Sequence, residues 1–217
     1  MGDFRGRVAL VTGSSSGIGA AIARALAGSG ATVVVNSASS VAAGERLAAE
    51  LPGASYIQAD IGDPDQVDRL VAGAVERHGR LDILVNNAGV TEVIAHDDLE
   101  AVTEEVWSRI LRVNLVGTWN VTRAAVPHLR ARGDGVVVNI TSIAGVRPVG
   151  SSVPYAVSKA ALNHLTLLLA NTLGPEIRVN AVAPGGSSTR RGRRTGKSSV
   201  TWCGSRRRCV AQDCRRT

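Results

Sequence analysis

The sequence predicts an α/β protein: one doubly wound parallel sheet, helices on both faces, and a binding edge at the C-terminal ends of the strands. Three observations carry that expectation. Six short apolar runs alternate with helix-forming segments over residues 5–185. The first run passes directly into a glycine- and serine-rich turn, and then into a helix rich in Ala, Ile and Leu. Small and polar residues gather just beyond the apolar runs, at the edge where open α/β sheets take their ligands.

The elements follow in chain order. Arg7–Thr12 contains Val8-Ala9-Leu10-Val11, the pattern of a strand buried on both faces. Thr12-Gly13-Ser14-Ser15-Ser16-Gly17-Ile18-Gly19 comes next, and Ala20–Ala27 reads as helix. A strand, a glycine turn and a helix N-terminus make a pyrophosphate cradle: the glycines allow close backbone approach, and the helix offers unpaired N–H groups and a positive dipole end. Gly13, Ser15, Ser16, Gly17, Ile18 and Gly19 are the candidate cofactor contacts there. Thr32–Asn36 is the second strand. Dinucleotide folds carry an acid at this strand end for a ribose 2′-hydroxyl. Asn36 and Ser37 stand there instead, and the next acid is Glu45. A carboxylate would repel a 2′-phosphate, so its absence favours NADP(H) and leaves NAD(H) open; no Arg or Lys adjoins the position in sequence.

Ser40–Leu51 is a helix and Ala54–Gln58 a third strand. Asp60-Ile61 follows at a strand end, where a carboxylate can accept from an adenine amino group or cap the next helix. Asp63–His78 is a helix opened by Asp63-Pro64. Leu81–Val85 is a fourth strand ending in Asn86-Asn87-Ala88-Gly89. Two helices, Thr103–Asn114 and Thr118–Arg132, come next, the second expected to bend at Pro127. Val136–Ile140 is a fifth strand leading to Thr141-Ser142, Val153–Leu173 a long helix, and Arg178–Val182 a sixth strand ending at Ala183-Pro184-Gly185. On the long helix Tyr155 and Lys159 are four apart and share a face. A cation about 4 Å from a phenol, at an effective dielectric of about 20, is worth roughly 4 kcal/mol. That pairing makes Tyr155 a candidate general acid/base, with Ser142 able to address the same reacting oxygen.

Composition bounds the class. The chain has 217 residues, 44% hydrophobic, with 24 glycines and 3% aromatics, which suits a single Ala/Val-rich domain and excludes wholesale disorder. No apolar run approaches the roughly 20 residues of a membrane span, and the N-terminus lacks the apolar stretch of a secretory signal, so a cytoplasmic protein is expected. The net charge of +7 is local: Gly186–Thr217 carries +9 and the preceding residues −2. All three cysteines, Cys203, Cys209 and Cys214, also fall there, in a spacing that fits no zinc pattern. Two parts are therefore expected: a dinucleotide-binding and catalytic domain over 1–185, and a basic, disordered or non-native tail over 186–217. A shifted reading frame is the favoured explanation of that tail, and a nucleic-acid-binding arm the lesser one.

In order along residues 5–185, Thr12-Gly13-x-x-x-Gly17-Ile18-Gly19, Asp60, Asn86-Asn87-Ala88-Gly89, Asn114, Ser142, Tyr155-x-x-x-Lys159 and Pro184-Gly185 resemble the short-chain dehydrogenase/reductase family, of the 3-oxoacyl-carrier-protein reductase type. The resemblance implies a Rossmann-type fold and hydride transfer between NADP(H) and a small carbonyl or secondary alcohol. It implies Tyr155 as acid/base, Ser142 placing the substrate oxygen, Lys159 binding the nicotinamide ribose and acidifying Tyr155, and Asn114 holding a relay water. Asn87, Ala88, Gly89, Pro184 and Gly185 join the cofactor contacts on the same ground, and a homo-dimer or tetramer is implied. After Gly185 the family continues with a substrate lid and a last strand, and this sequence departs from that pattern. The last strand is expected to be missing. A catalytically silent nucleotide-binding protein is therefore the alternative to an active reductase.

Overall fold

The computed structural model describes residues 3–185; the expectations for the tail lie outside the described residues. Six strands form one parallel sheet: β1 (Val8–Val11), β2 (Thr32–Ser37), β3 (Ser55–Gln58), β4 (Ile83–Asn86), β5 (Gly135–Ile140) and β6 (Ile177–Val182). Their spatial order is β3-β2-β1-β4-β5-β6. The order reverses between β1 and β4, which places a crevice at their C-terminal ends. Register is set by runs such as Leu10↔Val34 and Leu10↔Leu84, both central and fully buried.

Helices α1 (Gly17–Gly28) and α2 (Val41–Glu50) cover one face, burying Ala23 and Leu47 against Val11, Val33 and Val35. Helices α3 (Pro64–His78), α5 (Thr118–Arg130) and α6 (Val153–Leu173) cover the other, with Leu70, Leu129 and Leu169 against Leu10, Leu84 and Val137. Asp63 caps α3, its carboxylate accepting from the N–H groups of Asp65 and Gln66. Among the described residues β6 pairs only with β5, and Val136, Val138 and Val182, on the α1/α2 face, are only partly buried.

One expectation is corrected. The helices α4 (Glu104–Leu111) and α5 are not separated by a loop; a π-helical stretch over Arg112–Gly117 joins them. An added residue per turn rotates every later side chain, so a single α-helical period cannot run through both halves. A Cβ on Gly117 would stand 2.7 Å from the Ile61 carbonyl oxygen, so contact with the loop after β3 requires glycine there.

The edge opposite the crevice is fastened by a buried carboxylate. Asp82 is fully buried and accepts from the Val8 N–H at 2.8 Å and from Arg80 Nε and Nη2 at 2.7 and 2.6 Å. Burial pushes this carboxyl up, but Arg80, the Val8 N–H and Arg132 outweigh it and hold it below its ordinary value.

Candidate active site

The glycine turn is built to let another chain, or a ligand, come close. Gly13 and Gly17 have φ of +61° and +57°, a region that favours glycine. A Cβ on Gly13 would lie 2.7 Å from the Ala88 Cα, and one on Gly19 2.6 Å from the Gly13 carbonyl oxygen. Thr12 and Asn87 lock the two loops together. The Thr12 hydroxyl accepts from the N–H groups of Asn87 and Ala88 at 3.0 and 3.1 Å, and Asn87 Nδ2 donates to the carbonyls of Thr12 and Gly13 at 2.9 Å each. Helix α1 begins at Gly17, three residues before its apolar stretch, with no acid in its first turn and no side-chain cap from Ser16. Ser16, Gly17 and Ile18 are exposed there. These features fit a pyrophosphate: open N–H groups, a positive dipole end and room for close backbone approach.

Asn36 sits where sequence placed it, but its amide is turned into the scaffold. Oδ1 accepts from the Gly13 N–H at 3.2 Å, and Nδ2 donates to the carbonyls of Ile57 and Ala59 at 3.1 Å each. Both amide protons are thereby used. Ser37 is buried and its hydroxyl shares a hydrogen bond with Tyr56 Oη at 2.9 Å. The exposed residues past this strand end are Ala38, Ser39 and Ser40. Ser40 precedes α2 without capping it, and the first turn of α2 carries no acid. Asp60 is partly buried: Oδ1 accepts from the Gly62 N–H at 2.8 Å and Oδ2 lies 3.7 Å from Arg112. The Ile61 side chain belongs to the core.

The catalytic candidates converge on one cavity of about 520 Å³, whose walls include Ser142, Tyr155, Lys159, Gly89, Pro184 and Gly185. Ser142 caps a 3₁₀ turn over Ile143–Gly145; its Oγ accepts from the Ala144 N–H at 3.1 Å. That turn is seated on α6, since a Cβ on Gly145 would lie 2.7 Å from the Lys159 carbonyl carbon. The Ile143 N–H donates to the Pro184 carbonyl at 3.1 Å, tying the ends of β5 and β6 together. Lys159 is only 4% exposed and its Nζ donates to the Ile140 carbonyl at 2.9 Å. Burial lowers its pKa from 10.5 to about 8. Nζ lies 5.7 Å from the centre of the Tyr155 ring. Among the described residues the Tyr155 hydroxyl has no hydrogen-bond partner, and the side chain lines the cavity.

Asn114 is fully buried on the π-helical stretch. Its Oδ1 accepts from the Val90 N–H at 2.8 Å, and its Nδ2 donates to the Val90 carbonyl at 2.9 Å and to Ser158 Oγ at 3.1 Å. Its main-chain carbonyl accepts from the Thr118 hydroxyl at 3.1 Å. Val90 and Ser158 were given no role in the sequence, and Thr12 stood there only as the first residue of the glycine-turn motif. Ser158 carried the one available signal, a serine three residues after Tyr155 on a helix, where its hydroxyl can bond back one turn.

Comparison with known proteins gives a consistent picture. The family described as short chain dehydrogenase matches residues 7–199. A protein named as ketoacyl reductase 2 of the granaticin polyketide synthase of Streptomyces violaceoruber is 60% identical over 178 residues, covering 82% of this chain and 72% of that protein. Versicolorin reductase of Emericella nidulans is 43% identical over 189 residues, covering 85% and 70%. A crystal structure described as a short-chain dehydrogenase/reductase from Burkholderia xenovorans superposes with a TM-score of 0.80 at 40% identity, covering 82% of this chain and 76% of that one.

Proposed function

The chain belongs to the short-chain dehydrogenase family of oxidoreductases, and from that membership we propose that it is an NADP(H)-dependent ketone reductase acting on polyketide-type carbonyls. The observation that carries the reading is the convergence of Ser142, Tyr155 and Lys159 on one cavity beside Gly89. When bound, the reduced nicotinamide supplies the hydride that converts a ketone to a secondary alcohol. Gly13, Ser15, Ser16, Gly17, Ile18 and Gly19 would hold the pyrophosphate; Asn87, Ala88, Gly89, Pro184 and Gly185 would flank the nicotinamide end.

The chain's own groups divide the remaining work. Ser142 Oγ already accepts from Ala144, so its proton is left to donate to a carbonyl oxygen in the cavity. Tyr155 gives that same oxygen the proton that completes the alcohol. Lys159 spends one N–H on Ile140 and keeps two for ribose hydroxyls. With a pKa of about 8 it is still largely cationic at pH 7. A relay water would fall to the Asn114 main-chain carbonyl, since both protons of the side-chain amide are spent. Val90, Ile143, Ala144 and Val149 give the cavity apolar walls, which suit a polyketide better than a polar sugar. The 2′-phosphate fits Ser39, Ser40 and the acid-free start of α2.

The test is reduction of a bicyclic ketone, followed by loss of NADPH absorbance. Tyr155→Phe should lower kcat at least a hundredfold while NADPH still binds. A phenylalanine variant that turns over at the normal rate sinks the assignment. Wild-type protein that binds NADPH but reduces no ketone would favour the silent nucleotide-binding alternative.

A further inference from the structure

Ser158 is fully buried on α6, between the general acid/base and the lysine, yet it reaches neither the cavity nor any group that reacts. A serine hydroxyl has one proton. Here it goes back one turn to the Tyr155 carbonyl at 2.7 Å. With its donor spent, Ser158 Oγ can only accept, and it accepts from Asn114 Nδ2 at 3.1 Å. Together with the two bonds to Val90, that contact holds the Asn114 carboxamide one way round. Turned over, the amide would set its oxygen against the Ser158 lone pairs and against the Val90 carbonyl, and its N–H groups against the Val90 N–H. In the observed orientation one amide grips both polar groups of Val90.

Val90 is a cavity wall, and the residue before it lies beside the catalytic lysine: a Cβ on Gly89 would be 3.2 Å from Asn114 Oδ1 and 3.6 Å from Lys159 Nζ. The chain Tyr155 carbonyl, Ser158 hydroxyl, Asn114 amide, Val90 backbone thus crosses from the turn of α6 that carries the acid/base to the loop after β4 that would face the nicotinamide. We propose that Ser158 is a positioning residue, fixing through Asn114 the spacing between the Gly89–Val90 wall and the Tyr155–Lys159 turn. The proposal rests on the reading of the chain as a ketone reductase. Removing the hydroxyl leaves every reacting group in place and loosens only their mutual alignment, so it should act on turnover more than on cofactor binding.

The test compares Ser158→Ala and Ser158→Thr with the wild type. In the alanine variant kcat at saturating NADPH should fall about tenfold, while the NADPH Kd stays within about twofold. Threonine keeps the hydroxyl and should restore kcat to within about threefold of the wild type. Val90 amide hydrogen exchange, read by NMR, should accelerate in the alanine variant alone, because its acceptor has lost its orientation. An alanine variant with unchanged kcat, or a threonine variant as slow as alanine with Val90 still protected, overturns the proposal. Should the alanine protein not fold, Ser158→Cys carries the same expectations. A wild-type protein without ketone reduction would defeat the reductase reading only; Val90 exchange then decides Ser158, and unaltered protection in the alanine variant overturns it.

Discussion

Replacing Lys159 with methionine should abolish activity and yet leave the protein at least as stable at neutral pH. The ammonium is 4% exposed, and burial lowers its pKa from 10.5 to about 8. At 1.36 kcal/mol per unit, the charged form costs the folded state about 3 kcal/mol. Methionine removes that cost but leaves the Ile140 carbonyl without its partner, a loss of about 1–3 kcal/mol. The net change at pH 7 is therefore a gain of about 0–2 kcal/mol. The pH dependence separates the two contributions. A lysine whose folded pKa is depressed leaves the unfolded chain holding more protons between about pH 8 and 10.5, so wild-type stability rises with pH across that window. Below about pH 8 the burial cost is present in full. From pH 7 to 9.5 the wild type should gain about 2 kcal/mol that methionine cannot gain. Denaturant titrations of both cofactor-free proteins at the two pH values measure this as a change in their stability difference. A difference that stays constant across the interval refutes a buried, destabilised ammonium, and with it the claim that function holds this charge against the fold's preference.

Two further outcomes follow from the same geometry. Ala38→Asp should weaken NADPH binding about tenfold and spare NADH, because an exposed carboxylate beside a 2′-phosphate costs about 1–2 kcal/mol; fluorescence titrations decide it, and an unchanged NADPH-to-NADH ratio of Kd values argues against the placement. Gly145→Ala should cost about 1–3 kcal/mol and at least tenfold in kcat, since the new Cβ would lie 2.7 Å from the Lys159 carbonyl carbon and must lift the Ser142 turn off α6; thermal unfolding with parallel kinetics shows whether both fall.

The sheet was legible because its strands are short apolar runs buried on both faces. Val8-Ala9-Leu10-Val11 is the clearest, with all four residues buried. The binding edge was legible for the same reason, since small polar residues after such runs have nowhere else to go. The π-helical stretch was not. Its cause is tertiary: Gly117 must approach the Ile61 carbonyl, and nothing local to Arg112–Gly117 announces that contact. What looked like a break between two helices is a phase shift within one continuous run.

The candidate site residues were legible as positions but not sorted by role, and their hydrogen bonds divide them. Asn36 and Asn114 both stand where a ligand contact was expected. Each spends both amide protons on other parts of the protein, Asn36 on Ile57 and Ala59, Asn114 on Val90 and Ser158. Those partners come from elements distant in sequence, so only register and packing bring them within reach. Tyr155, Ser142 and Lys159 differ in having capacity left over: a hydroxyl without a partner among the described residues, a hydroxyl proton not yet donated, and two of three ammonium protons. A buried polar group that is fully paired holds the scaffold in place. One that stays partly unpaired at a cavity wall is poised to act on what enters. By that measure the two asparagines brace the cradle and the three proposed catalytic side chains face it, a division that motif spacing could not express.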